Sequence, residues 1–467
     1  MRRPRSGSIA STRSTMLKIA LLSPKGPLYR HRGGIFRKSL RYPPLTLPTL
    51  AALIPEDIEH ELTIYDEGVE EIPDDLDADL VGITVITGNA VRSYELAAGF
   101  RARGKTVVLG GPHVTLVPDD AEPHADAIVV GYAEDTWPQL LRDFTAGRLQ
   151  ARYQQAPDLS LAGRPPAKRD LVPGGRYLKT HVFEATRGCN HRCDFCVVPF
   201  AWGRKPYQKP VHEVIDEIRS TGARRAIFID LNLVADPDYA RELFEALVPL
   251  NIQWGGLATS LLARDEDLLD LCARSGCIGL LVGFESISPT ALKGIHKGFN
   301  TPQMYAEWIR RFHDHGIAIN GTFVFGLDQD TPDVFDETAE FVIDTRIDLP
   351  RFAILTPFPG TALYERLDSE GRILTRNWER YDGQHTVFQP KQMTVSQLET
   401  GNTRAWRKVY SYASIAKRLL STPISKSLYL GANLGYRYYA KRLDQFYTCD
   451  WSLLQPESIP MPARRRA

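Results

Sequence analysis

Three cysteines within one short stretch could do chemistry that nothing else in the chain could. They lie in Thr186-Arg187-Gly188-Cys189-Asn190-His191-Arg192-Cys193-Asp194-Phe195-Cys196, a Cys-x3-Cys-x2-Cys spacing. Cysteine thiolates are the usual ligands of iron–sulfur clusters. This spacing can set three of them on one loop around one corner of a cubane, leaving one iron open to a substrate or cofactor. A zinc knuckle and a partial disulfide framework are the other readings. Zinc sites usually close with four ligands, so the fourth would be His191 or a distant residue. Three clustered thiols cannot pair off.

The surrounding residues narrow the choice. Glu184-Ala185-Thr186-Arg187-Gly188 precedes the first cysteine, and Phe195 stands just before the last. The segment resembles the signature of the radical S-adenosylmethionine (SAM) enzymes. That resemblance implies a 4Fe-4S cluster on Cys189, Cys193 and Cys196, with the open iron chelating the amino and carboxylate groups of SAM. One electron then cleaves SAM to methionine and a 5′-deoxyadenosyl radical. It also implies a partial parallel (β/α)6 barrel, whose chemistry gathers at the carboxyl ends of the strands. Those ends carry polar residues. Asp230 and Asn232 in Phe228-Ile229-Asp230-Leu231-Asn232 could accept from the SAM ammonium, or cap the next helix. Glu285 and Ser286 in Gly283-Phe284-Glu285-Ser286 resemble the family's ribose- or carboxylate-side element. A Glu among apolar residues is costly without a partner, which favours a ligand over a structural ion pair. Gly326 in Phe325-Gly326-Leu327 resembles the adenine-side glycine.

The elements that must position these groups alternate strand and helix. Strands are expected at 181–186, 225–229, 253–258, 277–283, 317–325 and 352–355, with amphipathic helices at 211–220, 238–247, 266–273 and 302–315. Ahead of them, residues 16–150 read as a second α/β domain with strands at 17–23, 62–65, 80–86, 106–109 and 127–130. In such doubly wound sheets, ligands bind outside the carboxyl ends of the strands. Glycines and small polar residues collect there, notably in Val108-Leu109-Gly110-Gly111-Pro112-His113 and Val129-Val130-Gly131-Tyr132. As a set, this Rossmann-like domain resembles the cobalamin (vitamin B12)-binding domain found ahead of one subgroup of radical SAM enzymes. The resemblance implies a cobalamin channel lined by Thr84, Thr87, Gly88, Gly110, Gly111, Pro112 and Gly131, with His113 beside it. The family's lower-ligand motif, Asp-x-His-x-x-Gly, is altered to Tyr29-Arg30-His31-Arg32-Gly33-Gly34, so cobalt ligation by His31 is not expected.

Composition bounds the rest. With 467 residues the chain needs two or three domains. Net charge is +1, so bulk electrostatics give no argument for nucleic acid. No apolar run reaches the ~18 residues of a membrane span. Cys272, Cys277 and Cys449 complete the cysteines; the first two read as buried small residues. This usage suits a reducing cytoplasm. Residues 1–15 read as a disordered basic tail, 151–180 as a linker rich in proline and glycine, 181–390 as the radical SAM core, and 391–467 as a helical, aromatic-rich segment. That last segment could cap the barrel mouth over a large apolar substrate, although aromatics at helical spacing are more often plain core or interface. Its interleaved Lys417, Arg418, Arg437, Lys441 and Arg442 also suit peripheral contact with a membrane surface.

The resemblance thus implies a cobalamin-dependent radical SAM enzyme that methylates an unactivated carbon, with flavodoxin or ferredoxin as electron donor. Its substrate would be a small molecule, lipid or tetrapyrrole. The rival readings are an oxidative cyclase or rearranging enzyme with the same cofactors, and a non-catalytic iron–sulfur or cobalamin sensor.

Overall fold

The structure is a computed structural model describing residues 16–26, 42–156, 158–172, 175–420, 422–423 and 426–443. The readings placed on residues 1–15, on the Tyr29–His31 motif and on Cys449 fall outside the described residues.

Six strands form the first sheet: β1 (Leu17–Ser23), β2 (His60–Asp66), β3 (Leu80–Thr84), β4 (Thr106–Gly110), β5 (Ala127–Val130) and β6 (Arg152–Gln154). All pair in parallel, in the order β2-β1-β3-β4-β5-β6. Side chains alternate across the sheet. Ala20, Leu22, Val81 and Ile83 join one buried cluster, while Ile19, Leu21 and Leu80 join the cluster on the other face. Helices therefore cover both faces, and the strand order reverses between β1 and β3, where such folds open a crevice.

The chain continues into β7 (His181–Phe183), a small antiparallel ribbon of β8 (Thr186–Arg187) with β9 (Tyr207–Gln208), and then β10 (Arg225–Phe228), β11 (Gln253–Ala258), β12 (Cys277–Glu285), β13 (Ala318–Phe325) and β14 (Arg351–Ile354). The six long-range strands pair in parallel as β14-β13-β12-β11-β10-β7. This is the partial (β/α)6 barrel expected. On β13, Phe323 and Phe325 pack outward onto Phe341 and Phe335. Asn320, Thr322 and Val324 therefore face the lumen. On the same inner side of β12, Gly279 and Gly283 leave their side-chain space to Tyr429 and to the Glu285 and Lys297 side chains.

Two readings of the chain change here. The stretch 151–180 is not a free tether. It contains β6, and its Arg169 bonds the Val182 carbonyl at 2.8 Å and the Glu217 carboxylate at 2.6 Å. Its Tyr177 hydroxyl donates to Asp66 at 2.8 Å. Proline and glycine marked irregular backbone correctly, but irregular backbone can still be pinned by side chains.

The described part of the C-terminal segment, up to residue 443, runs down the barrel and does not roof its mouth. Its helix Val395–Val409 starts near the carboxyl end of β13, with Leu398 against Gly326, and descends along β14, where Trp406 donates to the Phe352 carbonyl at 3.0 Å. After helix Tyr412–Leu419, helix Lys426–Ala440 closes the amino-terminal end of the barrel. There Asn433 donates to the Asp348 carbonyl at 3.2 Å, and Tyr429 lies beneath Gly279. The buried Arg418 ties the helices down through the carbonyls of Ile347, Asp348 and Val409. Among the described residues, Trp406, Tyr410 and Tyr436 stack on one another as part of the core, the commoner role of aromatics at helical spacing.

Candidate active site

The cysteine loop is held from three sides. Asn190 donates to the Ala235 carbonyl at 2.7 Å, the Asp194 amide to Ile295 at 3.3 Å, and the Leu363 amide to the Asp194 carbonyl at 3.0 Å. Gly188 enters the loop at φ +84, where a Cβ would fall 2.5 Å from the Lys205 carbonyl oxygen; only glycine fits. Cys193 is buried, and Cys189 and Cys196 are partly exposed. Burial pushes the Cys193 thiol up to about 11 and the Cys196 thiol up to about 12. Among the described residues no three Cys, His, Asp or Glu side chains converge on one point as ligands of a single ion must. His191 stacks on Phe299, 4.1 Å between ring centres. A cluster that gives each thiolate its own iron fits this loop, whereas a zinc knuckle would need all its ligands on one ion.

Asn232 stands beside the first cysteine, its amide nitrogen 3.8 Å from the Cys189 sulfur. Its carbonyl oxygen is buried with no hydrogen-bond partner in the structure. That is an acceptor of the kind the SAM ammonium needs. Asp230 is different. It is fully buried, and its carboxylate accepts from the backbone amides of Ala185, at 3.1 Å, and Thr186. It clamps the turn that launches the cluster loop, and its acceptors are spent there. Nor does it cap a helix; Asp236 does that for Pro237–Leu247.

Glu285 sits on a bulge of β12, at φ +63. Asn300 holds the strained backbone by donating to the carbonyls of Gly283, at 2.9 Å, and Phe284, at 3.0 Å; Tyr305 adds a bond to Phe284 at 3.0 Å. Strain of this sort persists only where its surroundings over-determine it. The Glu285 carboxylate accepts from Lys297 at 2.6 Å, so both the ligand and the ion-pair readings describe part of it. A Cβ on Gly283 would fall 2.3 Å from that carboxylate and 2.8 Å from the ammonium. Lys297 went unread in the sequence, where Ile295-His296-Lys297-Gly298 carries no distinguishing signal. Ser286 is buried, and its hydroxyl accepts from the Ser288 amide at 3.1 Å.

Gly326 does not open onto the site. At φ +98, its absent Cβ would meet Leu398 at 2.9 Å and Phe388 at 3.2 Å. Its amide and that of Leu327 donate to Asp330, both at 2.9 Å. Burial pushes the Asp330 carboxyl up to about 7 despite these bonds. A carboxyl whose folded pKa is raised holds its proton longer than the unfolded chain does, so it lowers stability as pH rises from about 4 to 7. Asp330→Asn keeps an oxygen for both amides. The variant should match the parent near about pH 4 and exceed it at neutral pH, by on the order of 1 kcal/mol per pH unit crossed. Unfolding midpoints across pH check this; a pH-independent difference would refute it.

Between the two sheets lies a cavity of about 380 Å³. The first domain contributes Thr84, Gly110, Gly111, Pro112 and Gly131; the barrel side contributes Glu184, Arg187, Ala201, Trp202 and Ile229. Gly111, at φ +105, lets the loop after β4 lie against β3: a Cβ would fall 2.8 Å from the Val85 carbonyl oxygen. Thr87, Gly88 and His113 do not line the cavity. Thr87 and Gly88 are buried in a tight turn. His113 is fully buried, its ring nitrogens 3.2 Å from the Thr87 hydroxyl and 3.1 Å from Asp120. It holds the loop instead of facing a ligand. The sequence reading also missed the charged wall. Arg187 pairs with Glu134 from beyond β5 and with Glu184 at 2.7 Å, and lies over the Tyr132 ring. The second oxygen of Glu134 is buried without a hydrogen-bond partner.

Comparison with known proteins matches this geometry. The Radical SAM superfamily model matches residues 183–342, and the B12 binding domain model matches residues 40–141. A bacteriochlorophyllide d C-12(1)-methyltransferase of Chlorobaculum tepidum is 32% identical over 400 residues, spanning 82% of this chain and 86% of that protein. The chain belongs to the radical SAM superfamily. An anaerobic magnesium-protoporphyrin IX monomethyl ester cyclase of Rubrivivax gelatinosus is also related, 25% identical over 400 residues, 78% of this chain and 70% of that one. The radical SAM methyltransferase TsrM of Kitasatospora setae, solved with cobalamin and a [4Fe-4S] cluster, shares the fold. Its TM-score is 0.68 at 17% identity, over 92% of this chain and all of that one. This radical SAM protein thus carries a B12 binding domain ahead of its cysteine loop, the pairing that serves a 4Fe-4S cluster, SAM and cobalamin. The residues present fit those groups: three thiols on one loop, a bare amide oxygen beside them, and a cavity shared by both domains.

Proposed function

We propose that this enzyme methylates an unactivated carbon of a tetrapyrrole-type small molecule. The observation that carries the reading is the shared cavity, whose walls come from the strand ends of the first domain and from residues flanking the cysteine loop. A methyl donor and a radical source must meet one substrate, and this seam runs from the strand ends of the first domain to residues on either side of the cysteine loop. The two related proteins act, by name, on tetrapyrroles, which favours that substrate class. When bound, the cluster supplies the electron that cleaves SAM, and cobalamin supplies the methyl group.

The chain's own residues then divide the work. Cys189, Cys193 and Cys196 hold the cluster. Asn232 receives the SAM ammonium through its free oxygen, while Glu285 and Lys297 present a hydrogen-bonding pair to the ribose and carboxylate side. Thr84, Gly110, Gly111, Pro112 and Gly131 shape the cobalamin site. Gly326, Ser286 and Asp230 act one step back, keeping the loops in place. The electron comes from a donor of the flavodoxin or ferredoxin class.

The test is anaerobic reconstitution with iron, sulfide, methylcobalamin, SAM and a strong reductant, in the presence of bacteriochlorophyllide-type chlorins. Both 5′-deoxyadenosine and S-adenosylhomocysteine should form, with a chlorin heavier by one methylene. 5′-Deoxyadenosine with an oxidised or newly cyclised chlorin, and no S-adenosylhomocysteine, would replace methylation by the cyclase chemistry. Turnover of an unrelated substrate but of no chlorin would remove the tetrapyrrole.

A further inference from the structure

The helix Lys426–Ala440 has two faces, and only one is used. Tyr429, Asn433, Tyr436 and Ala440 recur at helical spacing and pack against the barrel end. Away from the barrel end, Leu430 and Leu434 are each 43% exposed on one flank of the helix, Leu428 is 56% exposed on the other, and Leu420, six residues before the helix, is 72% exposed. Gly431 and Gly435 lie between these leucines with open space where a Cβ would be. Single exposed leucines are ordinary, but Leu430 and Leu434 stand one turn apart on the flank that also carries Lys426 and Lys441, which makes an apolar strip between cations.

The segment's own charges carry one sign. Residues 401–443 hold nine Lys and Arg and no Asp or Glu, in a chain whose net charge is +1. Several of the nine are engaged inward. Arg404 and Lys408 pair with Asp336, Lys417 pairs with Asp344, and Arg418 is buried. This corrects the sequence reading for Lys417 and Arg418. Arg437 donates to the Tyr410 carbonyl at 2.7 Å. Lys426 and Lys441 are exposed at the two ends of the helix, and Arg442 lies against the Tyr438 ring.

We propose that this face docks on an anionic lipid surface, with the helix lying in the interfacial plane and its leucines entering the acyl boundary. Apolar area plus flanking cations is the combination that binds such surfaces. A second copy of the chain fits worse, because two such faces would oppose lysine to lysine across an apolar centre. Since no helix of the described residues is long and apolar enough to cross a membrane, the contact is peripheral.

The test is co-sedimentation of the reconstituted full chain with vesicles of phosphatidylglycerol and phosphatidylcholine in equal parts, against phosphatidylcholine alone. Binding to the anionic vesicles only, weakened by salt, is expected. Lys426→Gln with Lys441→Gln should reduce it, by about fivefold for each cation removed. Leu428→Ser, Leu430→Ser and Leu434→Ser together should reduce it further, with cluster absorbance and unfolding midpoint unchanged because these side chains touch solvent. No binding, equal binding to neutral vesicles, or binding untouched by both variants would overturn the proposal. So would a vesicle-free dimer that the leucine variant turns into a monomer, since a second copy would then occupy the face.

Discussion

Replacing Cys193 by alanine should abolish SAM cleavage outright. Cys193 is the buried member of the three, and among the described residues the loop has no other thiol in reach, since Cys272 and Cys277 are buried among the core residues of the barrel. With two thiolates left, the cluster loses a ligand and the open iron loses its fixed position. Iron content and the cluster's visible absorption should collapse, and 5′-deoxyadenosine should fall to background. Cys272→Ala makes the informative control: it removes a thiol of equal burial and should leave cluster and cleavage intact. Cleavage retained by the Cys193 variant would sink the assignment of the loop.

Arg187→Ala should be nearly as damaging, for a different reason. The guanidinium stands between Glu134 of the first domain and Glu184 of the second. Removing it leaves two carboxylates facing each other with little water. Breaking a buried pair from one side costs about 3–5 kcal/mol. The variant should unfold at markedly lower denaturant and release cobalamin on gel filtration, because all three of these residues line the cavity. Glu134→Gln added to Arg187→Ala should recover part of the loss, since the orphaned charge is gone; such coupling is what adjacent partners show. A variant as stable as its parent, with full cobalamin retention, would mean the pair is idle.

Much of the architecture was legible because it rests on local pattern. Strand β11 and strand β5 were readable to the residue, since an apolar run bounded by polar turns has one solution in a parallel sheet. The cysteine loop was legible because its chemistry depends on spacing alone. What escaped depends on partners distant in sequence. Lys297 is twelve residues from Glu285 and close only because β12 bulges and the loop turns back. Glu134 and Arg187 are 53 positions apart. Asp230 looked like a ligand, and only the amides of Ala185 and Thr186 show where its oxygens go. The C-terminal helices were readable as helices, but helical periodicity carries no address, so the end of the barrel they cover could not be inferred.

The seam around Asp120 bears on how the chain is made. Asp120 receives bonds from Tyr94 and His113 on its own domain and from Trp378, at 3.2 Å, across a sequence separation of 258 residues. During synthesis the first domain emerges with that position unfilled, and it stays so until most of the barrel has followed. Contacts this distant close late. The first domain is therefore a half-finished surface on the ribosome, and its final rigidity is acquired only once Trp378 has emerged.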